Sequence, residues 1–269
     1  GPPGSGGGRP PQPPVPVVTT KVLQKDVPIY LDGLGTVMAY NSVTVRVRVD
    51  GQLQKVAFTE GQDVKAGDLL AQIDPDPFLT QVAQAEARKT QDEAQLTNAR
   101  IQLKRNADLL ALKIVSQQDY DTQKALVDQF EATVKADQAA IDSAKVQLNY
   151  TKILAPISGR TGLRQVDQGN IVRANDANGL VVIAQLRPIS VSFTLPEQTL
   201  NDIQQQMARG ELPVLAVARD DTSVLDEGKL AVIDNQIDTT TGTIRLKATF
   251  PNADLRLWPG QFVTEMGSR

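Results

Sequence analysis

The feature that most constrains the fold is a long segment, residues 76–150, that contains no glycine and, after Pro77, no proline. Ala, Gln, Leu, Lys, Asp and Glu dominate this segment, and most of these residues favour helices. The sequence on both sides is different, because short runs of β-branched residues alternate there with Gly, Pro and Asn. The segment is therefore predicted to be helical and to be inserted between two β regions.

Both halves of the helical segment repeat seam residues with alternating spacings of three and four, as coiled coils do. The seam positions are Val82, Ala85, Lys89, Asp92, Leu96, Ala99, Leu103, Asn106 and Leu110 in the first half, and Val127, Phe130, Val134, Asp137, Ile141, Ala144 and Leu148 in the second. Residues 113–118 are predicted to form the loop, with Asp74 and Ser116 as the N-caps of the two helices. Two helices of about 35 residues, each roughly 50 Å long, are expected to form an antiparallel hairpin.

The sequences that flank the helical segment resemble each other at one fixed offset. The matched pairs, each 108 positions apart, are Gly51 and Gly159, Gly61 and Gly169, Val64 and Val172, Lys65 and Arg173, and Ala66 and Ala174. Such a repeat predicts two similar β units that pack face to face, with the helical hairpin projecting from between them. The β pattern continues to the end of the sequence, apart from a short helix predicted over residues 197–208.

The composition excludes several functional classes. The chain has no Cys and no His, which removes Cys/His metal sites, cysteine nucleophiles and histidine general bases. Its formal net charge of −3 provides no basic excess for phosphates, so nucleic acid is not an expected partner. We predict no catalytic, cofactor-binding or metal-binding residue, and we interpret the pairs Asp74/Asp76 and Asp234/Asp238 as cap and turn residues.

The two ends of the sequence have a character of their own. Residues 1–16 are rich in proline and include the run Gly6-Gly7-Gly8, so we interpret them as an extended linker or a tag. Residues 267–269 are a candidate vector-derived tail. No apolar run approaches the ~20 residues that span a bilayer, and no signal peptide is visible at Gly1.

Four motifs occur in a characteristic order. They are the Gly-Gln-Leu-x-x-Val-x-Phe-x-Glu-Gly-Gln-x-Val-Lys-Ala-Gly-Asp-Leu-Leu stretch at 51–70, the Thr-Lys-Ile-Leu-Ala-Pro-Ile-Ser-Gly stretch at 151–159, the Asp-Asn-Gln-Ile-Asp-Thr-Thr-Thr-Gly-Thr-Ile stretch at 234–244, and Leu-Trp-Pro-Gly-Gln-Phe-Val at 257–263. The first two resemble the two lipoyl half-motifs of the periplasmic adaptor (membrane fusion protein) family of HlyD/RND type. The last two resemble the signature and the end of its β-barrel domain. The resemblance is closest to the MdtA-type branch, which serves resistance-nodulation-division (RND) drug pumps.

A shorter pattern lies at the predicted loop of the hairpin. Arg105, Leu109 and Ser116 have the spacing Arg-x3-Leu-x6-Ser, which resembles the hairpin-tip motif of adaptors that dock on TolC-like channels. The resemblance implies that Arg105 donates a guanidinium fork, that Leu109 fills an apolar notch and that Ser116 hydrogen-bonds across the junction. Such a contact is small in one subunit and gains strength when a ring of subunits repeats it.

The fold expected from these observations is mixed α and β, elongated and multi-domain. It comprises an antiparallel coiled-coil α-hairpin inserted in a lipoyl-like β-sandwich, plus a β-barrel, with a membrane-proximal domain absent or incomplete. The barrel domain is predicted to comprise residues 17–42 and 185–266, with a remnant of a membrane-proximal strand at 17–25. The lipoyl-like domain is predicted to comprise residues 43–74 and 151–184. The hairpin is predicted to comprise residues 75–150.

The resemblance implies a periplasmic adaptor subunit of a tripartite multidrug efflux pump rather than an enzyme, and it implies no cofactor. The implied partners are an RND inner-membrane transporter, a TolC-like outer-membrane channel and further copies of the chain, as a hexamer. The family also implies an inner-membrane anchor, either a helix or a lipid, which is not visible here. Three alternatives stay open: an adaptor of an ABC or major-facilitator (MFS) exporter, a lipoyl or biotinyl carrier, and a coiled-coil scaffold without a transport role.

Overall fold

The computed structural model describes residues 30–218 and 223–268, so the predicted linker at 1–16 and strand remnant at 17–25 lie outside the described residues, as does Arg269. The described strands form one closed barrel and two four-stranded sheets. In chain order they are β1 (Tyr30–Ala39), β2 (Ser42–Val45), β3 (Gly51–Val56), β4 (Asp63–Val64), β5 (Leu69–Ile73), β6 (Lys152–Leu154), β7 (Gly159–Thr161), β8 (Ile171–Val172), β9 (Val181–Ala184), β10 (Ile189–Pro196), β11 (Pro213–Val217), β12 (Val224–Asp238), β13 (Thr243–Phe250) and β14 (Phe262–Ser268).

The helices lie where the sequence predicts them. They are α1 (Asp76–Ala111), α2 (Gln117–Tyr150) and α3 (Leu200–Arg209), and a short 3-10 turn (Glu197–Thr199) precedes α3. The two long helices have 36 and 34 residues. The predicted N-cap of α1 is wrong by one residue: Pro75 holds the cap position, because its carbonyl accepts the first hydrogen bond of the helix, from the Leu79 amide at 2.9 Å. Asp74 Oδ1 accepts a hydrogen bond of 3.2 Å from the Asp76 amide.

The two four-stranded sheets form the sandwich, and each half of the repeat completes the other half's sheet. The strand orders are β2-β9-β7-β4 and β6-β5-β3-β8. In one sheet Gly51 lies opposite Val172, and in the other Gly159 lies opposite Val64. The two pairings are equivalent, because Gly159 and Val172 lie 108 residues after Gly51 and Val64. The sequence repeat is therefore also a structural repeat, in which each half contributes a strand to the sheet of the other half.

The two repeat glycines are required by close approach of neighbouring chains. A Cβ atom on Gly51 would lie 2.6 Å from Cγ2 of Ile73, and one on Gly159 would lie 2.6 Å from the carbonyl oxygen of Ala184. Both distances are too short for any other residue without a shift of the neighbour. Glycine therefore has a packing cause at this position in both halves of the repeat.

The hairpin is attached to the sandwich through a buried threonine at the end of α2. The Ile73 amide donates to the Thr151 carbonyl at 2.8 Å, and the Thr151 hydroxyl donates to the Leu148 carbonyl at 2.7 Å. The Gln72 side-chain amide donates to the same hydroxyl at 2.9 Å. Because Thr151 is fully buried, these bonds join the last turn of α2 to β5 and fix the base of the hairpin.

The two long helices pack along the predicted seam. Their main apolar cluster has Leu96, Ala99 and Val127 at its centre, and Val82 and Ile141 are buried closer to the sandwich. Burial of these side chains, rather than helix propensity, stabilises a two-helix rod of this length. The coiled-coil prediction is confirmed.

One layer of the seam carries buried charge. Asp137 is only 5% exposed, and its Oδ1 lies 3.3 Å from Nε of Arg88. Its Oδ2 is buried and has no hydrogen-bond donor among the described residues. Burial raises the pKa of Asp137, the adjacent carboxyl of Asp92 raises it further, and the positive charge of Arg88 opposes these effects. Ionised Asp137 therefore destabilises the hairpin.

The remaining strands form a closed barrel in the order β1-β10-β13-β12-β11-β14. It closes because β1 pairs with both β10 and β14. Phe250, Leu246 and Leu257 are fully buried in its core, and α3 packs on that core through Ile203. Gly267 and Ser268, which the sequence analysis assigned to a tail, belong to β14 and pair with β1.

Two connections between barrel and sandwich run side by side. The Tyr40 amide donates to the Gln185 carbonyl at 3.0 Å, which pairs the two linking segments. Beside them, the guanidinium of Arg160 in the sandwich lies 5.5 Å from the ring centroid of Trp258 in the barrel. A cation–π contact of this kind adds to the pairing of the linkers.

We expect Asp137→Leu to stabilise the hairpin. The change removes a carboxyl whose burial is costly, and Arg88, whose side chain is 73% exposed, stays solvated without its partner. The measurement is the Tm from circular dichroism at neutral pH. Asp128→Leu is the matched control, because Asp128 is an exposed residue of the same helix.

The gain in Tm is also expected to depend on pH. Since the folded-state pKa of Asp137 is raised, the native protein binds its proton before the unfolded chain does as the pH falls. The wild-type penalty is thus present above the raised pKa and is lost below the unfolded value of about 3.9. A difference in Tm between Asp137→Leu and wild type that stays constant from neutral to acidic pH would contradict this account.

Candidate functional site at the hairpin apex

The three predicted docking residues lie at the end of the hairpin that is farthest from the sandwich. Arg105 and Leu109 are in the last two turns of α1, which ends at Ala111, and Ser116 directly precedes α2. Arg105 and Leu109 are four residues apart and share one face of the helix. The fold therefore brings all three residues to the apex.

The end of α1 is fixed by two backbone hydrogen bonds. The Lys113 amide donates to the Leu110 carbonyl at 2.9 Å, and the Ile114 amide donates to the Leu109 carbonyl at 3.0 Å. This pair of bonds is the Schellman motif, in which the residue after the C-cap is left-handed. Lys113 holds that position with φ of 57°, which costs about 1 kcal/mol because lysine carries a Cβ atom.

The start of α2 is fixed by a reciprocal pair of residues. The Ser116 hydroxyl accepts a hydrogen bond of 3.2 Å from the Asp119 amide and donates one of 2.7 Å to Asp119 Oδ2. The Ser116 amide donates to the same carboxylate oxygen at 3.2 Å. This arrangement is a capping box. The prediction that Ser116 caps the second helix is confirmed.

The apex presents an exposed cation and exposed apolar side chains. Arg105 is exposed and has no hydrogen-bond or ion-pair partner within the described part of the chain. Leu109 is half-buried, whereas Leu112 is 69% and Ile114 is 66% exposed. A free guanidinium beside an uncovered apolar surface is suited to binding another protein, because Arg donates to carbonyls and carboxylates while the leucine and isoleucine side chains fill apolar notches.

Sequence reasoning missed three residues of this site. Leu112 and Ile114 were not singled out, although two large apolar residues in a five-residue loop are a signal of an exposed binding surface. Asp119 was missed as well, although Ser-x-x-Asp before a helical run is a variant of the capping-box pattern. The exposure of Leu112 and Ile114 depends on the folded conformation of the loop, which cannot be read from residue types.

Within residues 30–218 and 223–268, no group of three or more acidic side chains is placed to hold a metal ion. No helix in these ranges combines the length and the apolar character needed to cross a membrane.

Two sequence profiles of one family match most of the chain. Residues 41–184 match the barrel-sandwich hybrid domain of RND membrane fusion proteins, and residues 188–266 match the β-barrel domain of the same proteins. The chain belongs to the RND membrane fusion protein family. The family resemblance that the sequence motifs indicated is therefore confirmed, and so are the sandwich, hairpin and barrel.

Relatives of this chain include proteins named for multidrug resistance. It is 52% identical over 260 residues to the multidrug resistance protein MdtA of Proteus mirabilis, and the aligned region covers 96% of this chain and 63% of that protein. It is 50% identical over 248 residues to MdtA of Erwinia amylovora, covering 92% of this chain and 61% of that protein. The chain thus spans about three fifths of the length of these relatives.

A solved structure supports the fold alone. A MacA–MexA chimeric protein that contains the α-hairpin domain of Pseudomonas aeruginosa MexA aligns with a TM-score of 0.58 and 24% identity, covering 91% of this chain and 83% of that one. The long hairpin inserted in a sandwich is therefore an arrangement that occurs in experimental structures.

We expect the two exposed loop residues to contribute little to folding. Leu112→Ser and Ile114→Ser should each change the free energy of unfolding by less than about 0.5 kcal/mol, because their side chains are mostly in water. Leu96→Ala, in the buried seam, should cost about 2 kcal/mol or more. Urea unfolding followed by circular dichroism measures both. A large loss of stability in either loop variant would mean that the loop side chains are packed rather than presented.

Proposed function

We propose that this chain is part of a periplasmic adaptor subunit of a tripartite RND multidrug efflux pump. The subunit links a proton-driven transporter of the inner membrane to a TolC-like channel of the outer membrane. The observation that carries the proposal is the hairpin of two helices with 36 and 34 residues, whose apex presents Arg105, Leu109, Leu112 and Ile114. A rod of this kind extends roughly 50 Å from its base.

The attachment of the hairpin supports a role in bridging. Its base is tied to the sandwich by the bonds of Thr151, while its apex makes only local contacts. A load applied at the apex is thus transmitted to the sandwich and from there, through the paired linkers at Tyr40 and Gln185, to the barrel. The full-length subunit is proposed to reside in the periplasm and to be anchored to the inner membrane.

Docking at the apex is proposed to involve a ring of six adaptor copies. One apex offers one guanidinium and a few apolar side chains, which is too small for a stable interface by itself. Repetition around a ring raises the effective concentration of each further contact once the first has formed. The names of the relatives in Proteus and Erwinia favour multidrug export as the task of the pump.

A carrier of lipoyl or biotinyl groups is not favoured by the geometry. Carriers of that kind hold the modified lysine at a tight turn between the two half-motifs. Here β5 ends at Ile73, β6 begins at Lys152, and both long helices lie between them. The turn that would present the lysine is therefore replaced by the hairpin.

We expect Arg105→Asp, introduced in the full-length protein, to abolish drug resistance without affecting folding. The change replaces an exposed, unpaired donor by an acceptor, so recognition is lost while no internal bond is broken. Minimal inhibitory concentrations of exported drugs in a host that lacks its own adaptor gene provide the measurement. Lys104→Asp makes the same charge change one residue away and is expected to retain resistance. Full resistance of the Arg105→Asp strain would remove the docking role of this residue.

Co-purification of the full-length subunit with candidate transporters tests the identity of the pump. We expect an RND transporter to co-purify with the subunit, and we expect ABC and major-facilitator exporters not to co-purify. Retention of one of the other two exporter types in place of an RND transporter would overturn the assignment to an RND pump, while leaving the adaptor role intact.

A further inference from the structure

The serine of the apex motif is already engaged within its own chain. A hydroxyl has one donor and two acceptor positions. Ser116 uses its donor on Asp119 Oδ2 at 2.7 Å and one acceptor position for the Asp119 amide at 3.2 Å. A channel that bound Ser116 directly would have to break the capping box or use the single acceptor position that remains. This differs from Arg105, whose donors are all free within the described residues.

We propose that Ser116 acts in docking by positioning the apex loop, with Asp119 as its partner, and not by contact with the channel. The inference rests on the proposed function, because it concerns how the same apex is prepared for the channel. Asp119 is thereby a positioning residue that lies outside the three-residue motif.

Local hydrogen bonds define the loop from both sides. The Schellman bonds of Lys113 and Ile114 hold its first half on α1, and the capping box holds its last residue on α2. Between these two anchors only Val115 lacks a hydrogen bond of its own from the backbone to either helix. The Schellman bonds therefore set the direction of Leu112 and Ile114 relative to α1, and the capping box sets the direction in which the loop enters α2. Loss of the box releases the loop at its α2 end.

The electrostatics of Asp119 favour the same role. The hydrogen bond from the Ser116 hydroxyl, followed by that from its amide, lowers the pKa of Asp119. The carboxylate therefore stays ionised next to the N-terminus of α2, where the helix dipole stabilises negative charge. The hydrogen bond of 2.7 Å to this carboxylate orients the Ser116 hydroxyl toward Asp119 and away from a partner.

A substitution series separates positioning from contact. Thr and Asn at position 116 also cap helices and can donate a hydrogen bond to Asp119, whereas Ala and Val do neither. If Ser116 positions the loop, Ser116→Thr and Ser116→Asn should retain docking, and Ser116→Ala and Ser116→Val should weaken it. Asp119→Ala should weaken docking to the same extent as Ser116→Ala. Asp119→Glu should retain docking, because glutamate also serves in capping boxes. Combining Ser116→Ala with Asp119→Ala should be little worse than either change, since both break one unit.

Two measurements on the full-length protein read out the series. Hydrogen exchange of the Asp119 amide reports the cap, and it should be on the order of five-fold faster in Ser116→Ala than in wild type. Co-purification with a TolC-like channel of the host reports docking, and it should fall roughly ten-fold or more in the cap-deficient variants, because every subunit of a ring carries the defect. Asp128→Ala, an exposed acidic position on α2, is the matched control and should leave both readouts unchanged.

The outcomes distinguish this inference from the proposed function. Exchange and docking that follow the capping ability of residue 116, with Asp119→Ala resembling Ser116→Ala, are the expected result. Loss of docking in Ser116→Asn together with full docking of Asp119→Ala would overturn the inference and make Ser116 a contact residue. Full docking of both Arg105→Asp and Leu109→Asp would instead overturn docking at the apex itself, and the positioning role with it.

Discussion

The exchanged strand pairing of the sandwich is the constraint on which the rest of the structure depends. Because β3 pairs with β8 and β7 pairs with β4, residues on either side of the long insertion complete each other's sheets. The ends of the two helices are consequently held at adjacent points, at Ile73 and Thr151, by backbone hydrogen bonds that are shielded from water. A two-helix rod with a marginal core of its own can project from such a base, since its register is set where it begins.

The apex, by contrast, depends on nothing distant. Its five-residue loop is closed by a Schellman motif at Lys113 and by the capping box of Ser116 and Asp119, all within one turn of each helix. This arrangement fits the proposed adaptor role, in which the base carries the mechanical connection and the apex is a small, locally defined recognition element. It also explains why exposed Leu112 and Ile114 can be tolerated, because no part of the fold relies on burying them.

Much of this arrangement could be predicted from residue order. The hairpin followed from the absence of Gly and the seam spacing, the sandwich from the 108-residue repeat, and the cap at Ser116 from its position before a helical run. The N-cap of α1 was misplaced by one residue because the first helical hydrogen bond runs from the Leu79 amide to the Pro75 carbonyl, which residue type alone does not fix. Asp137 was assigned to the seam, but its burial against Asp92 and Arg88 depends on which residues of the facing helix lie opposite it. The barrel strands were recognised as β structure, whereas their closure through β1 and β14 joins segments more than two hundred residues apart.

The sequence by itself determined the elements and the family, since helix periodicity, strand alternation, glycine placement and capping are local properties of the chain. Tertiary structure alone decided which edges meet, which seam carboxyl is buried, and that the Arg160 guanidinium lies over the Trp258 ring across the two domains. It also decided that Arg105 stays without a partner within the described residues. The physical reason is that burial and long-range contacts depend on two residues that are distant in the sequence and close in space. A pattern of residue types describes each of these residues but does not show which ones meet.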